Sequence, residues 1–568
     1  MSNHHPAKTQ EELVALFQQD LTTGVGRSVK HDSADKHVSG EAVYIDDRLE
    51  FPNQLHVYAR LSDRAHARII SVDVSPCYDF EGVRIAITHE DIPGLKDIGP
   101  LLPGDPLLAI DKVEFVGQPV IAVAARDLET ARKAAMAAII EYEDLEPVLD
   151  VVQAYRDRHF VLDSHTHQRG DSAVALETAP NRIQGTLHIG GQEHFYLETQ
   201  ISSVMPTEDG GMIVYCSTQN PTEVQKLVAE VLDVSMNKVV VDMRRMGGGF
   251  GRRYYNDFVI EAALLAKETS RPVKLVWTRE DEMTQDYFGQ STFARLKAGV
   301  DKQGKLIAWH HRQGQIEGSM REQCFPYQLI DNFRVDSYQQ RAGTPTGAWR
   351  GPGHFQFAFA TESMIDEVAH AVNQDPLAYR LDLMGKPKSY PYRGYGATEI
   401  DSGRMAKCYQ AAADLAKWQQ KRPKGVGLGI ASHFTFGSYA AFVVEVDSRG
   451  KDGMKITGIW GAIDCGLPLN PNHIRNQMEG GFIDGLNASI YNDAKIEGGR
   501  VMNSNFDQQP WIRMADTPAL FEVAIIENDY PPTGVGEPPT APAAAALANA
   551  IFAATGKRQR KLPISMEA

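Results

Sequence analysis

The chain is poor in cysteine. Its 568 residues include five, Cys77, Cys216, Cys324, Cys408 and Cys465, and no two stand at the spacing of a metal-ligand pair. That excludes an iron–sulfur cluster or a zinc knuckle carried by this chain alone. An odd, scattered set also argues against a disulfide framework and fits a reducing compartment. Positive charge is in deficit, with 58 Lys and Arg against 73 Asp and Glu for a formal net charge of −15. Phosphate backbones need clustered cations, so no nucleic-acid partner is expected. No run of about 20 residues is apolar enough to span a membrane. The first ten residues are polar and lack the apolar centre of a secretion signal. A cytoplasmic protein without a membrane span is therefore expected. What remains is ordinary: 43% hydrophobic and 23% charged residues suit a globular chain of about three to four domains.

Hydrophobic periodicity divides the chain further. Residues 1–28 read as a polar lead-in with one short amphipathic helix around 11–20. Strand-like runs follow at 43–45, 55–59, 84–87 and 118–123, then an Ala-rich helix at 128–140. Residues 29–150 thus read as a self-contained α+β domain. The polar stretch 151–185 reads as a linker. Beyond it strands and helices alternate. Residues 212–215 lead into a helix at 222–232, and 239–241 into a helix at 257–269; a strand at 274–277 and a helix at 362–372 follow. A boundary in the polar stretch 386–398 separates a domain at 186–390 from one at 391–568. The last closes on an Ala-rich helix at 541–555.

Five constellations stand out. The run Met246-Gly247-Gly248-Gly249-Phe250-Gly251-Arg252-Arg253 lets the backbone approach a ligand and take positive φ. Its amides, ahead of a helix, suit a phosphate; a tight strand–helix turn accounts for it equally well. In Gly534-Val535-Gly536-Glu537-Pro538-Pro539-Thr540 a carboxylate stands between glycines and prolines. It suits a backbone-held general base, or an acid complementing the dipole of the following helix. In Gly347-Ala348-Trp349-Arg350-Gly351 the arginine suits an anion contact, or a solvated turn. Gln477, before Met478-Glu479-Gly480-Gly481, and Gln219, in Ser217-Thr218-Gln219-Asn220, complete the set. A lone glutamine is usually structural, yet its carboxamide both donates and accepts.

Taken in this order, the motifs are specific. The chain resembles the large, molybdenum-cofactor-binding subunit of the xanthine dehydrogenase and aldehyde oxidase family. The segments His37-Val38-Ser39-Gly40-Glu41-Ala42-Val43-Tyr44-Ile45-Asp46-Asp47, Ala65-His66-Ala67-Arg68-Ile69 and Val116-Gly117-Gln118-Pro119-Val120 look like that family's hammerhead domain. Gly191-Gln192-Glu193-His194-Phe195-Tyr196-Leu197-Glu198-Thr199 looks like the opening of its molybdopterin-binding region. Up to Gly251 the likeness is to xanthine dehydrogenases. From Arg252 onward it is to the isoquinoline oxidoreductase type, through Arg252-Arg253-Tyr254-Tyr255-Asn256-Asp257-Phe258 and Gly536-Glu537-Pro538-Pro539-Thr540-Ala541-Pro542.

The resemblance implies an α+β chain: a hammerhead domain followed by two mixed α/β molybdopterin-binding domains. It also implies a molybdenum–molybdopterin cofactor, as the pterin itself or its cytosine dinucleotide. The pterin, not side chains, would hold the metal. Glu537 takes the family's general-base role. Gln219, Gly249, Phe250, Gly251, Arg350, Gln477 and Gly536 match cofactor-contacting positions, and Tyr254 and Trp349 fall at the substrate pocket. Iron–sulfur clusters and flavin would lie on other chains: a small iron–sulfur subunit, with or without a flavin subunit. Three departures matter. Tyr254 replaces the glutamate of purine-oxidising members, and Gly289 or Gln290 replaces their arginine. An aldehyde or uncharged N-heterocycle is therefore expected as substrate rather than a purine. The third departure is that the family's Gly-Gln-Gly segment, which binds pterin and phosphate, has no counterpart in this chain. A folded, non-catalytic scaffold that fails to retain the cofactor is thus the alternative to an enzyme.

Overall fold

The computed structural model describes residues 24–48, 50–99, 104–316, 321–324, 327–340, 343–451 and 453–567. The helix expected around 11–20 lies outside them. Three larger sheets carry the molecule. The first has seven strands, in the order Val239–Met243, Met212–Cys216, Ile201–Pro206, Val273–Val276, Leu55–Leu61, Pro119–Ala125, Val83–Ile87. Its first four strands come from the region after residue 186 and its last three from residues 29–150. The join is parallel, with Leu55 opposite Val273 and Val57 opposite Leu275. The segment 29–150 is therefore not self-contained, because one hydrogen-bonded sheet runs through it into the next region. A strand edge left unpaired at Leu55–Leu61 would expose backbone donors and acceptors, and this pairing covers it. Helices Pro221–Val231 and Asp257–Thr269 pack on this sheet. Val224, Val228 and Ala262–Leu265 are buried against Val57, Val214 and Leu275 in one apolar cluster.

A five-stranded sheet holds His165–Arg169, Asn332–Gln340, Leu306–Ile316, Thr292–Val300 and Asn181–Ile189, in that order. A four-stranded sheet holds Val426–Thr435, Ser438–Asp447, Lys455–Asp464 and Phe521–Ile525. Helices His354–Ala371 and Ala543–Thr555 lie between them and share one core with both. The alanine helix packs with its backbone almost on the sheet. A Cβ at Gly427 would sit 2.3 Å from Ala554 N, and one at Gly429 would sit 2.1 Å from Ala550 N. Glycine below and alanine above are what this spacing demands.

Most strand and helix expectations fall within a residue or two of the observed elements. Three do not. Residues 43–45 form no strand. The helix expected to start at 362 begins eight residues earlier, at His354. Residues 151–185 are not a bare linker: they form helices Val151–Arg156 and Ser172–Thr178 and the strand His165–Arg169. Asp150 and Asp171 cap these helices through side-chain hydrogen bonds, so polar composition there marks caps.

Candidate functional site

Two of the expected loops leave the same end of the seven-stranded sheet. Strands Met212–Cys216 and Val239–Met243 run parallel, with Cys216 opposite Met243. Gln219 follows the first and the glycine run follows the second, each ahead of a helix. The carboxyl ends of adjacent parallel strands are where such sheets form crevices. Gly251 N–H donates to Gln219 Oε1 at 2.9 Å, and Gln219 N–H donates to Arg253 O at 2.9 Å. The two loops are thereby tied together.

The glycines of this run are required by space. A Cβ at Gly247 would lie 2.4 Å from Glu198 Cβ, one at Gly249 2.7 Å from Gln219 Oε1, and one at Gly251 1.7 Å from Ala348 O. Gly251 also takes φ +115°, a region that L side chains avoid. Phe250 adopts φ +51° and leaves its ring exposed. Arg252 and Arg253 are fully buried beneath the loop. Arg252 clamps Asp257 through two hydrogen bonds of 2.9 and 2.8 Å. Arg253 pairs with Glu198 at 2.8 Å and donates to the Thr199 carbonyl at 2.9 Å. Neither arginine is free to meet a ligand; both anchor the loop.

Arg350 is the hub of the second half. Its Nε donates to Gly536 O at 2.9 Å, Nη2 to Gln477 Oε1 at 2.9 Å and Nη1 to Asp484 Oδ2 at 3.3 Å. Its guanidinium carbon stands 5.9 Å from the Phe250 ring centre. One side chain thus gathers the glycine run, the helix Pro471–Ile490 and the Gly534–Glu537 loop. Its segment is held from below. Ala348 N–H donates to the Tyr255 hydroxyl at 3.1 Å, and His194 Nε2 meets Ala348 O at 2.8 Å. His194 Nδ1 meets Asp286 at 2.6 Å, and Arg252 Nε stands 2.8 Å from the same carboxylate. Although burial opposes it, His194 and Arg252 hold Asp286 below the usual carboxylate range.

Glu537 lies beside Gly351, six residues before the helix Ala543–Thr555. It is therefore not in the helix's first turn, which removes the dipole explanation. Burial pushes its carboxyl above the ordinary value, opposed by the Gly351 backbone amide and by the Arg350 and Arg321 charges. The neighbouring Gly534 and Gly536, and Gly480 beyond Gln477, have nothing within 4 Å of a notional Cβ. Open space therefore adjoins the acid, a carboxamide and the guanidinium.

Of the expected positions, Gln219, Gly249, Phe250, Gly251, Arg350, Gln477, Gly536 and Glu537 form one contiguous group. The two pocket positions differ. Trp349 is 3% exposed and packs edge-on against Phe355 at 5.5 Å, so it belongs to the core. Tyr254 is half-buried, its ring 6.1 Å from that of Tyr255. Gly289 N–H donates to Gln192 O at 2.6 Å and Gln290 is buried, so neither replaces the absent arginine with a cation. Asp484, His194, Asp286 and Tyr255 were not singled out by sequence. His194 and Tyr255 lay within the family-like segments quoted above, and Asp484 had a signal of its own: it stands seven residues, two helical turns, after Gln477 on the same face.

A cofactor-binding fold of the mixed α/β kind, with its polar loops at one sheet end, is what these elements define. Comparison with known proteins agrees. Residues 154–384 and 395–518 match the family model of the molybdopterin cofactor-binding domain. Residues 39–146 match that of the aldehyde oxidase and xanthine dehydrogenase a/b hammerhead domain. Aldehyde oxidase 2 of Rattus norvegicus is 37% identical over 389 residues, which are 65% of this chain and 28% of that protein. Xanthine dehydrogenase of Calliphora vicina is 31% identical over 441 residues, 74% of this chain and 32% of that one. The crystal structure of quinoline 2-oxidoreductase from Pseudomonas putida 86 superposes with a TM-score of 0.81 at 16% identity, covering 95% of this chain and 97% of that one. The chain belongs to the aldehyde oxidase and xanthine dehydrogenase family, carrying its hammerhead domain and both of its molybdopterin-binding domains. It spans under a third of the length of these two curated relatives. No helix among the described residues is long and apolar enough to cross a membrane.

The residues fit a pterin cofactor. The group offers a guanidinium and two carboxamides on one rim, suited to a polar, phosphorylated ring system. Gly480, Gly534 and Gly536 leave room that any side chain would fill.

Proposed function

We propose that this chain is the catalytic subunit of a molybdenum hydroxylase that oxidises an aldehyde or an uncharged N-heterocycle, with water as the oxygen source. The carrying observation is the gathering of Gln219, Phe250, Gln477 and Glu537 around Arg350. Bound there, a molybdenum–pterin group, as such or as its cytosine dinucleotide, supplies the two-electron acceptor. Gln219, Gly249, Gly251, Arg350, Gln477 and Gly536 would hold it. Glu537 serves as general base. Its burial raises its proton affinity, and the Gly351 amide with Arg350 keeps the carboxylate aimed and ionisable. Tyr254, in place of an acid, leaves no carboxylate for purine recognition. A small iron–sulfur subunit, with or without a flavin subunit, takes the electrons onward, since the five cysteines of this chain are scattered and buried.

Glu537→Gln tests the base. Turnover of an aldehyde should fall about 100- to 10,000-fold while molybdenum content stays at the wild-type level. Full activity in the loaded variant would end the assignment. The wild-type rate should rise with pH through an acid limb above the ordinary carboxylate value, because the base works only once deprotonated.

A further inference from the structure

Behind the Arg350 segment lies a second cluster that the proposed reaction does not use. Cys324 ends the short helix Glu322–Cys324, His354 opens the helix His354–Ala371, and His433 sits on the strand Val426–Thr435. Three segments far apart in sequence thus deliver one thiol and two imidazoles to one place. Their exposures are 1%, 0% and 3%. One ligand atom from each lies within 4.8 Å of the others, and His354 Nδ1 is 3.0 Å from His433 Nε2. Ligands bound about 2.0–2.3 Å from a shared ion stand about 3.3–3.8 Å apart, so the histidine pair has to open slightly and the pairs with Cys324, none above 4.8 Å, have to close by at most roughly 1 Å. His354 Nε2 is buried without a hydrogen-bond partner among the described residues.

We propose that Cys324, His354 and His433 form a buried site for a soft, thiophilic cation, copper(I) or zinc(II). The ligand set is one thiolate and two neutral imidazoles, the chemistry that selects these ions over hard ones. The Tyr392 hydroxyl, 3.5 Å from Cys324 Sγ, is placed to support a thiolate. Charge favours copper(I). The Arg321 cation stands in the same turn as Cys324, whose N–H donates to Arg321 O at 2.9 Å, and it donates to Pro352 O at 2.8 Å, two residues before His354. A copper(I)–thiolate unit adds no net charge, whereas zinc(II) adds one. The site is also coupled to the base: His354 N–H donates to Gly351 O at 2.9 Å, and Gly351 adjoins Glu537. A bound ion would fix that turn.

The test is anaerobic titration of the full chain, stripped by chelation, with copper(I) against a competing colorimetric chelator, and with zinc(II) in parallel. About one equivalent of one ion per chain should bind, at least 100-fold more weakly in Cys324→Ser and in His433→Gln, with circular dichroism checking that both fold. Binding unchanged in both variants, or no binding of either ion, overturns the proposal. Should a variant not fold, X-ray absorption of the loaded wild type decides. One sulfur at about 2.2–2.3 Å and two imidazole nitrogens at about 2.0 Å are expected; a shell without sulfur rejects the site.

Discussion

The two glycine-rich loops of the site have similar composition and opposite physics. In Gly247–Gly251 the glycines are there because something is already present: Glu198, Tyr196, Gln219 and Ala348 crowd the missing Cβ atoms. At Gly534 and Gly536 nothing stands within 4 Å, and neither residue takes a left-handed backbone. The first loop is a close-packed joint, anchored by two buried arginines. The second borders open space beside an acid. The helices behind them differ in the same sense. Asp257–Thr269 buries a carboxyl at Glu261, whereas Ala543–Thr555 buries alanines, Leu547, Ile551 and, as its one polar residue, Asn549. Glycine count alone does not tell a joint from a cradle; the neighbours do.

Substitutions sharpen the contrast. Gly251→Ala should be the most damaging, because it meets both a positive φ and the Ala348 carbonyl. A loss above about 4 kcal/mol is expected in denaturant unfolding, and a near-neutral result would mean that the joint is not rigid. Next is Glu261→Gln. Burial, then Asp257 and Asp281, push the Glu261 carboxyl up to about 8 from 4.5. Between those values the folded chain keeps a proton that the unfolded chain releases, so stability falls as pH rises through that window. The glutamine variant should gain about 4 kcal/mol at pH 8 and little at pH 5. Equal gains at both would show that Glu261 titrates normally. Arg350→Ala removes the hub and strands Asp484, whose carboxyl burial already raises against the pull of Arg350. About 2 kcal/mol should be lost, together with bound molybdenum. Gly536→Ala should be silent in unfolding, within about 0.5 kcal/mol, yet lower molybdenum content. If it left the content unchanged, the second loop would not be a cradle.

Much of this was legible beforehand. Apolar runs located six of the seven strands of the first sheet and none of the five-stranded sheet, and glycine and proline around Glu537 and Arg350 marked the loops that meet. What sequence could not supply were the long-range partners. Nothing near Leu55 signals that its strand continues a sheet begun at Val273, since pairing across 218 residues leaves no local trace. The family resemblance put Trp349 at the substrate pocket, whereas its side chain packs into the core against Phe355. The burial of Arg252 and Arg253 was not legible in the sequence; Asp257, Glu198 and Asp286 enclose them. Buried charge of this kind is readable only when its counter-charges are in view.

The central claim is that the group around Arg350 closes on a molybdenum–pterin cofactor without the Gly-Gln-Gly segment typical of the family. Its most direct test is molybdenum content per chain by mass spectrometry, after co-expression with an iron–sulfur partner in a host that makes the cofactor. About one molybdenum per chain is the predicted result, falling in Arg350→Ala. A soluble, folded wild-type chain with no molybdenum would contradict the account and leave the family's fold here without its chemistry.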